Sequence, residues 1–167
     1  KRDFCVYISM KRFLFLMAII LLLISCSPSP DKEDRFEIVT WNMCEFFDSR
    51  EAGDEYAGWR ESDGWNEAKY NERIKKCVMY MVSNFKDADV IVLEEVESNE
   101  VLISLLEGGM KKEGYLYYGI ASDDSNLSVA FISRIKPVSL RLLFVPSARP
   151  MLSLDFNVNG EMVRVIG

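Results

Sequence analysis

Residues 89–97 read Asp89-Val90-Ile91-Val92-Leu93-Glu94-Glu95-Val96-Glu97. Four consecutive apolar residues after an aspartate mark a strand buried on both faces, not one that alternates between core and water. Two glutamates follow at once, so the strand runs from a core into a charged edge. Successive side chains on a strand turn to opposite faces. Glu94 and Glu95 are therefore expected to point opposite ways, and Glu95 and Glu97 to share a side.

Upstream, Phe36 to Met43 (FEIVTWNM) is rich in β-branched and aromatic residues and reads as a second strand. Asp48 to Trp65 is polar and contains glycine, which reads as a surface loop. Tyr70 to Phe85 places Ile74, Cys77, Val78, Met81, Val82 and Phe85 on one helical face. Downstream, Val101, Leu102, Leu105, Leu106 and Met110 repeat the helical spacing, with a frayed end expected at Gly108-Gly109. Tyr115–Ile120, Leu127–Ser133, Val138–Val145, Met151–Val158 and Glu161–Ile166 read as strands. Asn159-Gly160 between the last two is a hairpin signal. Strand, helix, strand, helix and then strands in series make a mixed α/β domain.

The chain has 167 residues, 49% of them hydrophobic, which suits one folded domain with small appendages. Its formal charge is −6. Four basic residues and one acid precede Cys26, which leaves 16 basic and 25 acidic residues beyond it, a balance of −9. That acidity argues against strong affinity for nucleic-acid phosphates. It leaves a phosphate-cleaving enzyme open, because a bound divalent cation can supply the positive charge. There is no histidine. Ser/His/Asp and Cys/His triads are thereby excluded from this chain, and so is the commonest zinc ligand.

From Met10 the sequence runs MKRFLFLMAIILLLISC. Two positive charges precede an apolar run from Phe13 to Ile24, the layout of a secretory signal. The run is shorter than the roughly 20 apolar residues of a membrane span. Leu23-Ile24-Ser25-Cys26 resembles the bacterial lipobox, which implies cleavage before Cys26 and acylation of that cysteine. Residues 1–9 add nothing a signal needs and read as an upstream leader, with Met10 the initiator. Residues 10–25 are the signal peptide, 26–35 a polar, proline-bearing tether, and 36–167 the domain. The expected location is a bacterial cell envelope, with the protein held on its membrane by lipid. Of the remaining cysteines, Cys77 falls on the apolar helix face and reads as a buried free thiol. Pairing with Cys44 stays open in an oxidising compartment.

Four segments together resemble the endonuclease/exonuclease/phosphatase superfamily of metal-dependent phosphoesterases. Trp41-Asn42-Met43-Cys44-Glu45-Phe46-Phe47-Asp48 is similar to a WNxENLFD motif, and residues 89–97 to an aspartate-led strand ending LQEVE. Ser128-Val129-Ala130-Phe131-Ile132-Ser133-Arg134 resembles DVALLSR, and Ala148-Arg149-Pro150-Met151-Leu152 a SRPxL segment. Trp65, Tyr70 and Arg73 also sit where that bacterial branch has them. The resemblance implies two packed mixed β-sheets flanked by helices, a four-layer αββα sandwich. It implies Mg²⁺ (or Mn²⁺) held by Asn42 and Glu95, support of the active-site face by Arg149, and a phosphate ester as substrate. Each residue also has a plain reading: glutamates after a buried strand are often solvated, Asn42 can cap a turn, and Arg149 can form a surface ion pair.

Departures accompany the likeness. Glu94 stands where glutamine is usual, and Cys44 where an acidic or polar residue is common beside the metal. Ser125-Asn126 and Ser128 replace the branch's RG and D. In the family the strand matched by Val163-Arg164-Val165-Ile166 leads to an N-x-H motif, then a D-x-N motif and an aspartate–histidine pair that activate water. None of these follows residues 163–166 here, and there is no histidine, so the chain is expected to be an N-terminal portion of the domain, incomplete at its C-terminus and inactive alone. A missing C-terminal half would be its partner. The alternative is a non-enzymatic surface lipoprotein with a binding role. A glycosidase using Glu95 and Glu97 has no second motif behind it.

Overall fold

Both faces of Val90–Leu93 are covered, and that places everything else. Ile91 and Leu93 lie in one apolar cluster with the helices; Val90 and Val92 lie in a second, facing another sheet. The computed structural model describes residues 35–121 and 126–167, so the signal segment, Cys26, the tether up to residue 34 and Ser125 lie outside the described residues. Residues 36–167 form one compact unit.

Strand β1 (Ile38–Phe46) leads through a turn of 3-10 helix (Glu61–Asp63) into helix α1 (Glu67–Asn84). Strand β2 (Val90–Val96) follows, then helix α2 (Asn99–Leu105), and then β3 (Tyr117–Ile120), β4 (Ser128–Ser133), β5 (Ser139–Leu143), β6 (Met151–Val158) and β7 (Glu161–Ile166). The first sheet has the order β1-β2-β4-β3, with β1 and β2 parallel and the other pairs antiparallel. The second sheet, β5-β6-β7, is antiparallel throughout.

Helix α1 starts where the Asn66 side chain accepts the N–H of Lys69, and it buries Tyr70, Ile74, Val78 and Met81 at helical spacing. This face packs on Ile91 and Leu93. On the other side of the sheet, Val90, Val92 and Phe131 meet Leu152, Leu154, Phe156 and Val165. The described residues thus build helix, sheet and sheet, three layers of an α/β sandwich. The outward face of the second sheet carries Asp155, which bonds Ser139, Arg141 and Arg164. These partners, Arg164 first, hold its carboxyl down at about 2.

Two local expectations change. Gly108-Gly109 is not a frayed end: α2 continues as a π turn, Leu106–Met110, pressed on α1. A Cβ on Gly109 would stand 2.7 Å from Val78, so only glycine permits that approach. The 48–65 segment is less superficial than its polarity implied. Asp48 and Glu55 are buried, and Trp59 stacks edge-on to Trp65 with centroids 4.7 Å apart. The hairpin at Asn159-Gly160 forms with both residues at positive φ, 52° and 90°, as a tight turn of that type requires. Among the described residues no helix is long and apolar enough to cross a membrane.

Candidate metal centre

At the C-terminal ends of the parallel pair, both strands leave regular geometry. Cys44, Glu45 and Glu95 have φ of 55°, 57° and 61°, a left-handed conformation that non-glycine residues rarely adopt. The ladder pairs Asn42 with Glu94, then loses register until Phe46 meets Val96. This corrects the alternation expected for the glutamates. Thr40 Oγ1 donates to Glu94 Oε1 at 2.8 Å, and Asn42 Nδ2 donates to Glu95 Oε1 at 3.0 Å. Thr40 and Asn42 share one face of β1. Both glutamates therefore reach the same face, because the left-handed turn at Glu95 swings its side chain across.

Every polar atom of the Asn42–Glu95 pair has a defined role. The amide oxygen of Asn42 accepts the N–H of Cys44 at 2.7 Å, which fixes the amide's orientation and leaves its NH₂ toward Glu95. Glu95 Oε2 accepts the N–H of Glu45 at 2.9 Å. The bond from Asn42 holds the Glu95 carboxyl below its ordinary range; partial burial opposes this, and the Glu45 N–H and the charge of Arg149 assist it. Arg149 is exposed on the segment between β5 and β6. Sequence had placed Asn42, Glu95 and Arg149 in one site. The first two touch, and the third exerts its charge on Glu95.

The donor set suits a hard divalent cation: one carboxylate held ionised and one amide oxygen, each keeping lone-pair capacity beyond its present bonds. Glu97 lies in a separate network. It accepts the N–H of Asp48 at 2.5 Å, and it groups with Asp54 and Glu55 closely enough for three carboxylates to share an ion. Burial first, opposed by the Asp48 N–H and reinforced by the charges of Asp48, Glu55 and Asp54, raises the Glu97 carboxyl to about 7. Glu55 is satisfied by the backbone N–H groups of Ala52 and Gly53. Cys44 is an exposed free thiol and Cys77 a partly buried one, raised by burial.

No family model and no curated protein matches the chain. Solved structures do. A humanized TDP2 of D. rerio is 15% identical over 78% of this chain and 45% of its own, with a TM-score of 0.52. TDP2 from Caenorhabditis elegans is 12% identical over 92% and 40%, with a TM-score of 0.52. The chain has the endonuclease/exonuclease/phosphatase fold. A β toxin of Staphylococcus aureus, as a β-hairpin deletion mutant, is similar too: 16% identical over 80% and 50%, with a TM-score of 0.50. At these identities the shared property is the endonuclease/exonuclease/phosphatase fold itself. This chain spans half or less of the length of each of these structures.

Sequence reasoning gave no role to Arg73 or Trp59. Arg73 donates to the carbonyl oxygens of Met43, Cys44 and Glu45. Its guanidinium lies 4.4 Å from the Phe46 ring centroid and 4.3 Å from that of Trp59. Burial pulls the Arg73 pKa down. The signal was present: Arg73 is a charge three residues after buried Tyr70 and four before Cys77, on the edge of an otherwise apolar stripe.

Proposed function

We propose that this chain is the metal-holding part of a Mg²⁺-dependent phosphoesterase, with Mn²⁺ able to substitute. The observation that carries this reading is the Asn42–Glu95 contact at the carboxyl ends of adjacent parallel strands. That contact is a carboxylate kept ionised by the amide NH₂ of Asn42, whose oxygen is turned to the Cys44 N–H, on backbone turned out of regular strand geometry to bring the two side chains together. A divalent cation bound there would clamp phosphoryl oxygens and offset their charge. Glu95 supplies the anionic oxygen and Asn42 the neutral one. Arg149, exposed and close enough to act on Glu95, attracts the phosphate of an incoming ester. The substrate class is a phosphate ester, and the acidic surface disfavours general affinity for nucleic acid.

Water activation needs a general base. This chain holds no histidine, so no imidazole of its own serves. The same fact favours the second reading, a surface lipoprotein that binds without catalysis. A phosphoesterase panel separates the two, run on the chain and on a protein extended through any downstream reading frame. The expected result is no turnover by the chain and metal-dependent turnover by the extended protein, abolished by Glu95→Gln. Turnover by the chain alone, or an extended enzyme indifferent to Glu95→Gln, would contradict the assignment.

The proposed location is the bacterial cell envelope, through acylation of Cys26. Cys26→Ala should leave an unlipidated precursor of higher mass that fails to partition into detergent. Unchanged processing in that variant would remove the anchor from this account.

A further inference from the structure

We propose that Arg73 is a positioning residue for Asn42 and Glu95, acting on both through two consecutive peptide units of β1. The inference rests on the reading of those two residues as metal ligands. Arg73 lies on α1 and touches neither of them. Its guanidinium donates to the Met43 and Cys44 carbonyls at 2.7 Å each and to the Glu45 carbonyl at 3.1 Å. The first two carbonyls belong to peptide units whose N–H groups hold the ligands. The Met43–Cys44 peptide presents its N–H to Asn42 Oδ1 at 2.7 Å, and the Cys44–Glu45 peptide presents its N–H to Glu95 Oε2 at 2.9 Å.

A trans peptide is planar, with its C=O and N–H pointing opposite ways. Fixing the carbonyl therefore aims the N–H. Each of the two units lies between a cation on one side and a ligand oxygen on the other, so each peptide dipole is favourably oriented at both ends. Left-handed backbone at Cys44 and Glu45 is unfavourable by itself. Without the guanidinium the segment would relax toward extended strand, and both N–H groups would turn away.

The pocket suits arginine in particular. The planar fork spans three successive carbonyls while its faces rest on Phe46 and Trp59, which a compact ammonium cannot do. Trp59 adds a second tie: its indole N–H donates to Glu45 Oε2 at 2.8 Å, which draws that carboxylate toward the indole.

The test uses the full chain with Mn²⁺ as probe, read by electron paramagnetic resonance of the free ion, together with metal-free amide NMR of Cys44 and Glu45. Arg73→Met keeps the apolar stem between the rings and removes the donors. It should weaken Mn²⁺ binding about 10- to 100-fold, the usual effect of losing a group that orients a ligand. Both amide resonances should move upfield, with far-ultraviolet circular dichroism unchanged. Arg73→Lys retains the charge and covers the case in which the methionine variant does not fold; it should bind between the two. Wild-type affinity and unmoved amides in Arg73→Met, or in Arg73→Lys where that is the variant that folds, would overturn the inference. Failure of the ligand reading looks different: Mn²⁺ affinity would survive Glu95→Gln, while the amide shifts of the Arg73 variants would still report the clamp.

Discussion

The two halves of the β1–β2 ladder follow different physics. From Ile38 to Trp41 β1 pairs residue for residue with Val90 to Leu93; the β2 side chains alternate between two apolar clusters, and Val39 and Trp41 of β1 join the one under the helices. Between the Asn42–Glu94 and Phe46–Val96 pairs, β1 inserts three residues and β2 one. Three residues there adopt left-handed backbone, and the contacts become polar and charge-assisted. The regular half is held by burial and can be replaced only by similar volume. The irregular half is held by directed hydrogen bonds, donated by Asn42 and Arg73 and accepted by Glu95, so strain gathers at the proposed metal centre.

Cutting volume from the regular half should have the largest effect. Leu93 is fully buried, and Leu93→Ala should destabilise the domain by about 2–5 kcal/mol in urea unfolding. Mn²⁺ binding by the folded fraction should persist; its loss in step with stability would erase the distinction between the halves. Glycine substitutions sharpen the comparison through opposite signs. Thr40→Gly, in extended backbone, should cost about 1 kcal/mol. Cys44→Gly, at φ 55° with an exposed side chain, should instead stabilise by roughly 0.5 kcal/mol, because relief of left-handed strain outweighs the added freedom of the unfolded chain. Equal losses at the two positions would show that the bulge carries no strain.

The smallest effect concerns pH. Glu97 is raised from 4.5 to about 7 in the folded protein. Between those values the folded state holds a proton that the unfolded chain has released. This contribution to stability is complete below about 4.5 and disappears as pH rises through about 7. Glu95 has the opposite sign: its lowered pKa adds stability that is lost on acidification. Across the Glu97 window, wild type should lose stability relative to Glu97→Gln, measured as a shift of the urea midpoint. Parallel midpoints would place Glu97 outside the buried acidic network.

What sequence could reveal follows the same division. The Val90–Leu93 run, the α1 stripe and the Asn159-Gly160 turn express burial and local backbone preference, which leave periodic or dipeptide signatures. Asn42 and Glu95 were named through motif resemblance, and the structure brings their side chains into contact. Their reason for meeting was not legible, because strand alternation sends Glu95 the other way and three non-glycine residues at positive φ leave no local mark. Arg73 was visible as a misplaced charge. Its role was not, since three carbonyls on a bulge exist only after the chain has folded. The burial of Glu55 was hidden for a related reason: its partners are backbone N–H groups three and two residues earlier, in a segment that reads as solvated loop.

The central claim is that a divalent cation binds at the Asn42–Glu95 end and not at the neighbouring carboxylates Asp54, Glu55 and Glu97. Paramagnetic broadening of amide resonances by Mn²⁺ locates the ion directly, measured in wild type, Glu95→Gln and Glu55→Gln. The account requires the Cys44, Glu45 and Glu95 amides to broaden before those of Val90 to Val92, the effect to vanish in Glu95→Gln and to survive in Glu55→Gln. Broadening that survives Glu95→Gln and vanishes in Glu55→Gln would move the metal to the acidic cluster and contradict the account.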